Sequence, residues 1–514
     1  MTQRQAFLSL AMAFLVLTGV TATTLTISPV IWQDEVQIVD FGRTALPNAD
    51  LGWGISWLVP GNRPEVAFSY LGPLVQEWAF RNFDGMAGVR LAALAGAGLA
   101  SFAMFGWLRA RAVLPEVALF GALLFMLDPM ISQSYRGARV DTLAMGMMFL
   151  GFLAVQLGRK DNDGWRIRGE QVIVGLCVGS AGLIWPSAIL LLPLLIYELW
   201  TGASALTAGV VDKLKRVVPE IFYIGLFAAM TITIFLFFRF QDGMLDAIRN
   251  MFQSTATNQN YLAHVDGQAR VLWHGVLGVL LSFKYDPWLP LFATLLILID
   301  RRFGLIVGIL IVLGVAVVTN PYIHRVIYVI PYLILAVVLG ISGLIAVRSD
   351  RRHRSFATMI VVVMLMWSAA ITIGGRTWVS IQEKDVRDPM LIQKLGQLMI
   401  GKGAYRVYID PWIFYYAGRQ LEWQMYRSFY EKPEVLTPEW KIFIKNMDFL
   451  IFSDGDVSLS LHQILTESGF ASIVVNPVNL SENRLNDHRK AIVGYMQNFV
   501  IYGKKPMGKS IGAR

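Results

Sequence analysis

Residues 326–346 read VIYVIPYLILAVVLGISGLIA, a stretch without one charged side chain. A hydrocarbon core of about 30 Å takes roughly 20 apolar residues as a helix, so this stretch is long enough to cross a bilayer. Charge returns at both ends, with His324-Arg325 before it and Arg348, Arg351, Arg352 and Arg354 after it. Working outward, runs of the same character lie at 7–30, 89–108, 113–131, 141–158, 171–184, 186–200, 217–238, 287–300, 303–319 and 355–374. Trp185-Pro186 divides 171–184 from 186–200, and the pair reads either as two tight spans or as one long helix kinked at the proline. The first run follows Arg4 and has no small-residue cleavage site behind it. Trp32 stands where an interface is expected, so the run reads as a retained anchor.

Composition agrees. The chain has 514 residues, 55% hydrophobic and 16% charged, with mean hydropathy +0.52. Soluble proteins carry nearer a quarter charged residues. These values exclude a soluble multidomain enzyme and a disordered chain. They also exclude a nucleic-acid binder, because the formal charge of +9 reads first as loop charge on a membrane protein. Cys177 is the single cysteine and lies in an apolar run, so no disulfide forms within the chain.

The basic loops set a direction. Arg109 with Arg111, then Arg159, Lys160, Arg166 and Arg168, then Lys213, Lys215 and Arg216, then Arg301 with Arg302, and finally Arg348 to Arg354 all fall on one side when the N-terminus is cytoplasmic. The positive-inside rule therefore predicts about eleven transmembrane helices, the N-terminus inside and the C-terminus outside. The outer face then receives 31–88, the turn near 132–139, 239–286, the turn 320–325 and everything beyond 375. Within 239–286 the stretch VLWHGVLGVLLSF (271–283) is too short to span and reads as a helix lying on the membrane surface. From about 377 charged and aromatic residues interleave. YRVYID (405–410), DFLIFS (448–453) and ASIVVN (471–476) read as strands, with helices at 386–400 and 457–468 between them. The expected organisation is an all-α polytopic membrane domain over 1–376 and a small extracytoplasmic α/β domain over 377–514.

Chemistry belongs where acids meet the outer face. Asp34-Glu35 directly follows the first span; paired carboxylates there can bind a divalent cation, act as a general base, or open a solvated loop. Asp141 heads the fourth span in SYRGARVDTLAMG, two residues after Arg139. That spacing does not share one helix face, so one or both sit in the turn; the bland alternative is a snorkelling arginine and a capping aspartate. His324-Arg325 heads the stretch quoted above, and Arg63 lies in GNRPEVAFSY. Each arginine can snorkel, or can fork onto the oxygens of a phosphate.

Four segments carry a resemblance: IWQDEVQIVDFGR, NRPEVAFSYLGPLVQEWAFRNFDGMAGVRLAALAGAGLA, SQSYRGARVDTLAMGMMFLGFLA and HRVIYVIPYLILA, in that order. The series resembles the C-superfamily of membrane glycosyltransferases, nearest the branch of protein O-mannosyltransferases, the aminoarabinose transferase of lipid A and rhizobial galacturonosyltransferases. Asp34-Glu35, Arg90-Leu91 and Arg139-Val140-Asp141 match that family's pattern. Pro64-Glu65 stands where Pro-Pro is usual, and Val326 follows Arg325 where Tyr is usual, with Tyr328 three residues after the arginine.

The resemblance implies an inverting transferase that moves a sugar from a polyprenyl-phosphate donor to a lipid, polysaccharide or protein acceptor. It implies the extracytoplasmic face of a bacterial inner membrane as the place. Asp34 would be the base, with Glu35 and Asp141 orienting the acceptor or holding a divalent cation (Mg or Mn) together with Asp34. Arg63, Arg139, His324 and Arg325 would hold the donor phosphate, and the C-terminal domain would shape the acceptor side. The competing class is a lipid-linked sugar transporter, which also uses many spans and intramembrane arginines. Transporter sites, however, usually lie near the midplane between repeated halves, and no internal repeat is visible.

Overall fold

The structure, a computed structural model, describes residues 1–29, 31, 33–45, 55–57, 71–83, 85–158, 164–204, 209–239, 268–300, 302–318, 323–347, 351–382, 389–427, 438–453, 457–475 and 499–504. It divides into two compact units. One comprises Met1–Thr23, Ala67–Gln76 and Arg90–Arg376, the other Thr24–Val66, Glu77–Val89 and Thr377–Arg514. Much of the 31–88 segment, read from sequence as a loop of the membrane domain, thus clusters with the C-terminal residues.

The helices in chain order are α1 (Gln3–Ala22), α2 (Gln33–Ala45), α3 (Leu71–Asn82), α4 (Gly85–Ala110), α5 (Pro115–Leu127), α6 (Pro129–Arg136), α7 (Asp141–Gly158), α8 (Gly164–Ile184), α9 (Leu192–Ser204), α10 (Val210–Arg239), α11 (Gln268–Ser282), α12 (Trp288–Asp300) and α13 (Phe303–Val318). They continue with α14 (Ile323–Val326), α15 (Ile330–Val347), α16 (Arg351–Ala369), α17 (Arg376–Gln382), α18 (Pro389–Met399), α19 (Phe414–Gln420), α20 (Pro438–Lys445) and α21 (Leu459–Glu467).

Each of the eleven apolar runs contains helix where it is described, but the first, expected over 7–30, is helical only to Ala22 and continues as turns over 23–29. Among the described residues six helices are long and apolar enough to cross a membrane. The α5–α6 pair, bent by 53° at Asp128, makes a seventh if it counts as one span, and four apolar helices are shorter. The bend has a local cause: Asp128 turns out of helical geometry and its Oδ1 accepts from Met130 and Ile131 N–H at 2.8 and 2.9 Å, capping α6. Between 171 and 200 the break falls at Trp185, whose extended backbone separates α8 from a 3-10 turn over Pro186–Leu191 and then α9. The surface-helix segment is also helical, as α11. Its Leu272, Trp273, Leu280 and Leu281 are exposed, while Gly275 sits so close to α13 that a Cβ there would meet the Val317 carbonyl oxygen at 2.6 Å.

The membrane unit packs through small and aromatic residues. Gly175 and Gly179 lie four apart on α8, and a Cβ on either would stand within 3 Å of α10 backbone or side-chain atoms, so these glycines permit the close approach of the two helices. Trp107 on α4 stacks on Phe149 of α7 at 5.8 Å, and Phe125 of α5 meets the same Phe149 edge-on at 5.4 Å. The helix built from the opening stretch, Ile327–Ile345, is central: 89% of its apolar window lies inside the protein, against 17% for Val210–Phe235.

The second unit holds a six-stranded sheet in the order β1-β3-β2-β4-β6-β5. Its strands are β1 (Ile55–Trp57), β2 (Arg406–Ile409), β3 (Gln424–Arg427), β4 (Phe449–Ser453), β5 (Ala471–Val475) and β6 (Phe499–Gly503). The first four run parallel, and β6 pairs antiparallel with β4 and β5. Ile444 and Met447 at the end of α20, with Leu461 and Leu465 of α21, close one hydrophobic cluster over Tyr408, Leu450, Phe452, Val500 and Tyr502. Ser458 caps α21 by accepting from Leu461 N–H at 3.2 Å. The three strands and two helices expected beyond 377 are present. The edge strand β1 comes from the first long loop instead.

Candidate active site

α2 opens with Asp34 and Glu35 in its first turn, where the helix dipole favours carboxylates. Asp34 is half-buried, whereas Glu35 and Asp40 are fully buried. A buried carboxylate costs several kcal/mol unless donors meet it, and two consecutive tyrosines of α19 do so. Tyr416 Oη donates to Glu35 Oε1 at 3.0 Å, and Tyr415 Oη donates to Asp40 Oδ1 at 3.2 Å. One turn further, Arg419 grips Glu77 of α3 with both amino groups, Nη1 to Oε2 at 2.7 Å and Nη2 to Oε1 at 2.9 Å. Arg81 adds a third donor to Glu77, Nε to Oε1 at 2.6 Å. Phe80 lies between the two grips, with the Arg419 guanidinium 3.9 Å above its ring centre and Tyr416 stacked on it at 5.9 Å. Burial pulls the Arg419 guanidinium down, but Tyr415 and Glu77 outweigh it and hold the group above its ordinary value.

The second cluster belongs to the membrane unit. Arg139 sits in the turn before α7 and Asp141 is the first residue of the helix. The turn brings them together: Arg139 Nε is 2.7 Å from Asp141 Oδ2 and its Nη2 is 3.4 Å from Oδ1. Ser134 Oγ donates to Oδ2 at 3.3 Å and Tyr328 Oη to Oδ1 at 3.0 Å. The face of the Trp185 ring lies 5.4 Å from the Arg139 guanidinium. Both oxygens of Asp141 are therefore engaged by the chain's own donors, in a fully buried setting.

Of the residues singled out from sequence, the structure pairs Arg139 with Asp141 and sets Asp34 beside Glu35 on α2. Arg325 is half-buried on α14, while Arg63 and the side chain of His324 lie outside the described residues. Among the described residues no group of three or more His, Cys, Asp or Glu side chains is placed to hold a metal ion. Sequence reasoning passed over Ser134, Tyr415, Tyr416, Arg419 and Glu77, and noted Tyr328 only as a departure from the family's pattern. Tyr328 was visible as a polar-tipped residue inside a span. FYYAGRQ carried only an aromatic triplet before an arginine, which reads equally as core.

The whole-chain comparison comes from solved structures. ArnT from Cupriavidus metallidurans, bound to undecaprenyl phosphate, superposes with a TM-score of 0.52 at 14% identity, over 96% of this chain and 97% of that one. At this identity the likeness shows a shared fold. The oligosaccharyltransferase of Archaeoglobus fulgidus, in complex with Zn and sulfate, superposes with a TM-score of 0.53 at 12% identity, over 90% of this chain and 72% of that one. No family model matches the sequence, and no curated protein matches it.

Proposed function

We propose that this protein is an inverting glycosyltransferase that moves a sugar from a polyprenyl phosphate to an acceptor hydroxyl at the outer face of the bacterial inner membrane. The acceptor is a lipid, a polysaccharide or a protein, and the C-terminal unit stands outside the membrane. The observation that carries this reading is the acid pair on α2. One carboxylate, Asp34, reaches solvent; its neighbour Glu35 is buried and held by a phenol.

Asp34 takes the proton of the acceptor hydroxyl as its oxygen attacks the anomeric carbon. The new C–O bond forms opposite the breaking bond to phosphate, whose electrons leave with the polyprenyl phosphate. One displacement inverts the anomeric centre. A positioned general base contributes typically about 100- to 10,000-fold. Arg63 and Arg325, with His324, hold the phosphate as charge grows on it. Arg139 spends its Nε and Nη2 on Asp141, so in this reading it fixes Asp141, and Asp141 orients the acceptor. A divalent cation, Mg or Mn, would neutralise the leaving phosphate. Asp34 and Glu35 would be its ligands, but this pair alone makes an incomplete set, so no step here runs through it.

The test uses membranes from a strain lacking the gene, which supply unused donor and unmodified acceptor. Purified protein is added back and the acceptor is weighed by mass spectrometry. Asp34→Asn keeps shape and removes the basic oxygen, so it should abolish transfer while leaving accumulation and donor binding normal. Transfer within a few-fold of wild type would remove Asp34 as the base.

A further inference from the structure

The C-terminal segment reaches the acid pair through Tyr416. Tyr416 is 3% exposed and Glu35 is 0% exposed, so their 3.0 Å hydrogen bond is closed to water. The tyrosine ring cannot drift. It lies stacked on Phe80 with 21° between the planes, and edge-on to Tyr415 at 5.3 Å. Three residues on, Arg419 stands on the same Phe80 and is tied to α3 by its double grip on Glu77. α19 is thus anchored independently of Glu35, and the Tyr416 hydroxyl is delivered to a fixed point. Glu35 in turn is the next residue after Asp34 in the first helical turn of α2, so a bond that holds Glu35 in place also holds the helical backbone that carries Asp34.

We infer that Tyr416 is a positioning residue for the acid pair: its hydroxyl holds the Glu35 carboxylate and thereby sets where the Asp34 carboxylate stands. This rests on the reading of Asp34 as the base. It makes the C-terminal segment a part of the catalytic apparatus, with a duty beyond shaping the acceptor side. The tyrosine does not touch the reacting atoms and acts through Glu35. Its effect therefore falls on turnover, because misplacing a reacting group by about 1 Å can cost on the order of 100-fold, while donor affinity depends on other residues.

The experiment uses the full-length protein and the gene-deletion membranes, with their accumulated polyprenyl-phosphate sugar as donor. Tyr416→Phe keeps the ring on Phe80 and deletes only the hydroxyl. The expected result is a rate about ten-fold lower at saturating donor, with half-saturation unchanged and the thermal midpoint within about 2 °C of wild type. Tyr415→Phe deletes the equivalent donor to Asp40, which has no part in the reaction, and should keep its rate within about two-fold. A Tyr416→Phe rate within two-fold of wild type overturns the inference. So does a loss matched by Tyr415→Phe, or one accompanied by weaker half-saturation or a lower midpoint, because those mark a merely structural contact. Should Tyr416→Phe not accumulate, Glu35→Gln and Glu35→Ala decide. The amide oxygen of Gln still accepts from Tyr416, so Glu35→Gln should outpace Glu35→Ala by about ten-fold, and equal loss overturns the inference. If Asp34→Asn retains wild-type transfer, the acid-pair reading itself fails, whereas a dead Asp34→Asn beside a normal Tyr416→Phe removes the positioning role alone.

Discussion

Arg419→Ala is the sharpest probe of what holds α2, α3 and α19 together. The side chain of Arg419 is 6% exposed and that of Glu77 is 0% exposed, so the substitution strands a buried carboxylate. Removing one partner of a buried pair typically costs about 3–5 kcal/mol. Arg81 still donates to Glu77, but its own side chain is 43% exposed, so it offsets only part, leaving roughly 2–3 kcal/mol by the same rule. The guanidinium on Phe80 adds about 1 kcal/mol. The sum is about 3–4 kcal/mol. For a unit of this size 1 kcal/mol moves the midpoint by about 2–4 °C, so the expected fall is roughly 6–16 °C. The assay is protease cleavage of the detergent-solubilised protein across a temperature series, following fragments from the C-terminal unit by mass. Arg419→Lys should fall between, since an ammonium cannot fork onto both oxygens. Adding Glu77→Gln to Arg419→Ala should recover part of the loss by removing the stranded charge. A midpoint within about 2 °C of wild type, or a double variant worse than the single, would refute the reasoning.

Two further predictions concern direction and donor. Reporter fusions after Arg302 and Arg354 should sit in the cytoplasm and one after Gln420 outside; an outer signal at Arg354 would reverse the basic-loop argument. Arg63→Ala and Arg325→Ala should each raise the donor concentration needed for half-maximal transfer by about ten-fold, with Lys rescuing only in part. Unchanged half-saturation in both would return these arginines to snorkelling anchors.

The membrane unit was legible because its signal is local and cumulative. A run such as 326–346 announces a helix without reference to any neighbour, and each of the eleven runs contains one, though the first ends eight residues before its apolar run does. The strands at 406–409, 449–453 and 471–475 were legible for a similar reason, being short β-branched and aromatic runs between polar breaks. What escaped is long-range. β1 is three residues long and gains its identity only from pairing with Met425 and its neighbours. β6 is a short strand that lies between β4 and β5 in space but follows both in sequence. The clamp of Tyr415, Tyr416 and Arg419 acts on residues more than 300 positions earlier, and no periodicity encodes a partner at that separation. Arg139 and Asp141 were legible as residues but not as a pair. The rule that i and i+2 diverge holds within one helix, and here the turn through Ala138, at φ +54°, places Arg139 outside it.

The placement of fixed charge also separates the two classes of function that the sequence left open. Asp141 is the first residue of an 18-residue helix, which at about 1.5 Å per residue nearly matches a hydrocarbon core of about 30 Å. In the proposed reading, with α7 crossing the bilayer, an acid at its first residue stands at the depth of headgroups. Tyr328, which donates to it, likewise lies at the start of the 19-residue run Ile327–Ile345. Transporters bind cargo near the midplane, between discontinuous helices contributed by both halves of a repeat. Here, among the described residues, one sharply bent pair occurs, α5–α6, and no second half repeats it. A site at headgroup depth is where a polyprenyl phosphate presents its sugar while its tail stays in the membrane, so transfer requires no movement of the donor across the bilayer. A transporter with its charged groups at that depth would still face the whole hydrocarbon core. In the proposed reading that asymmetry favours transfer over transport.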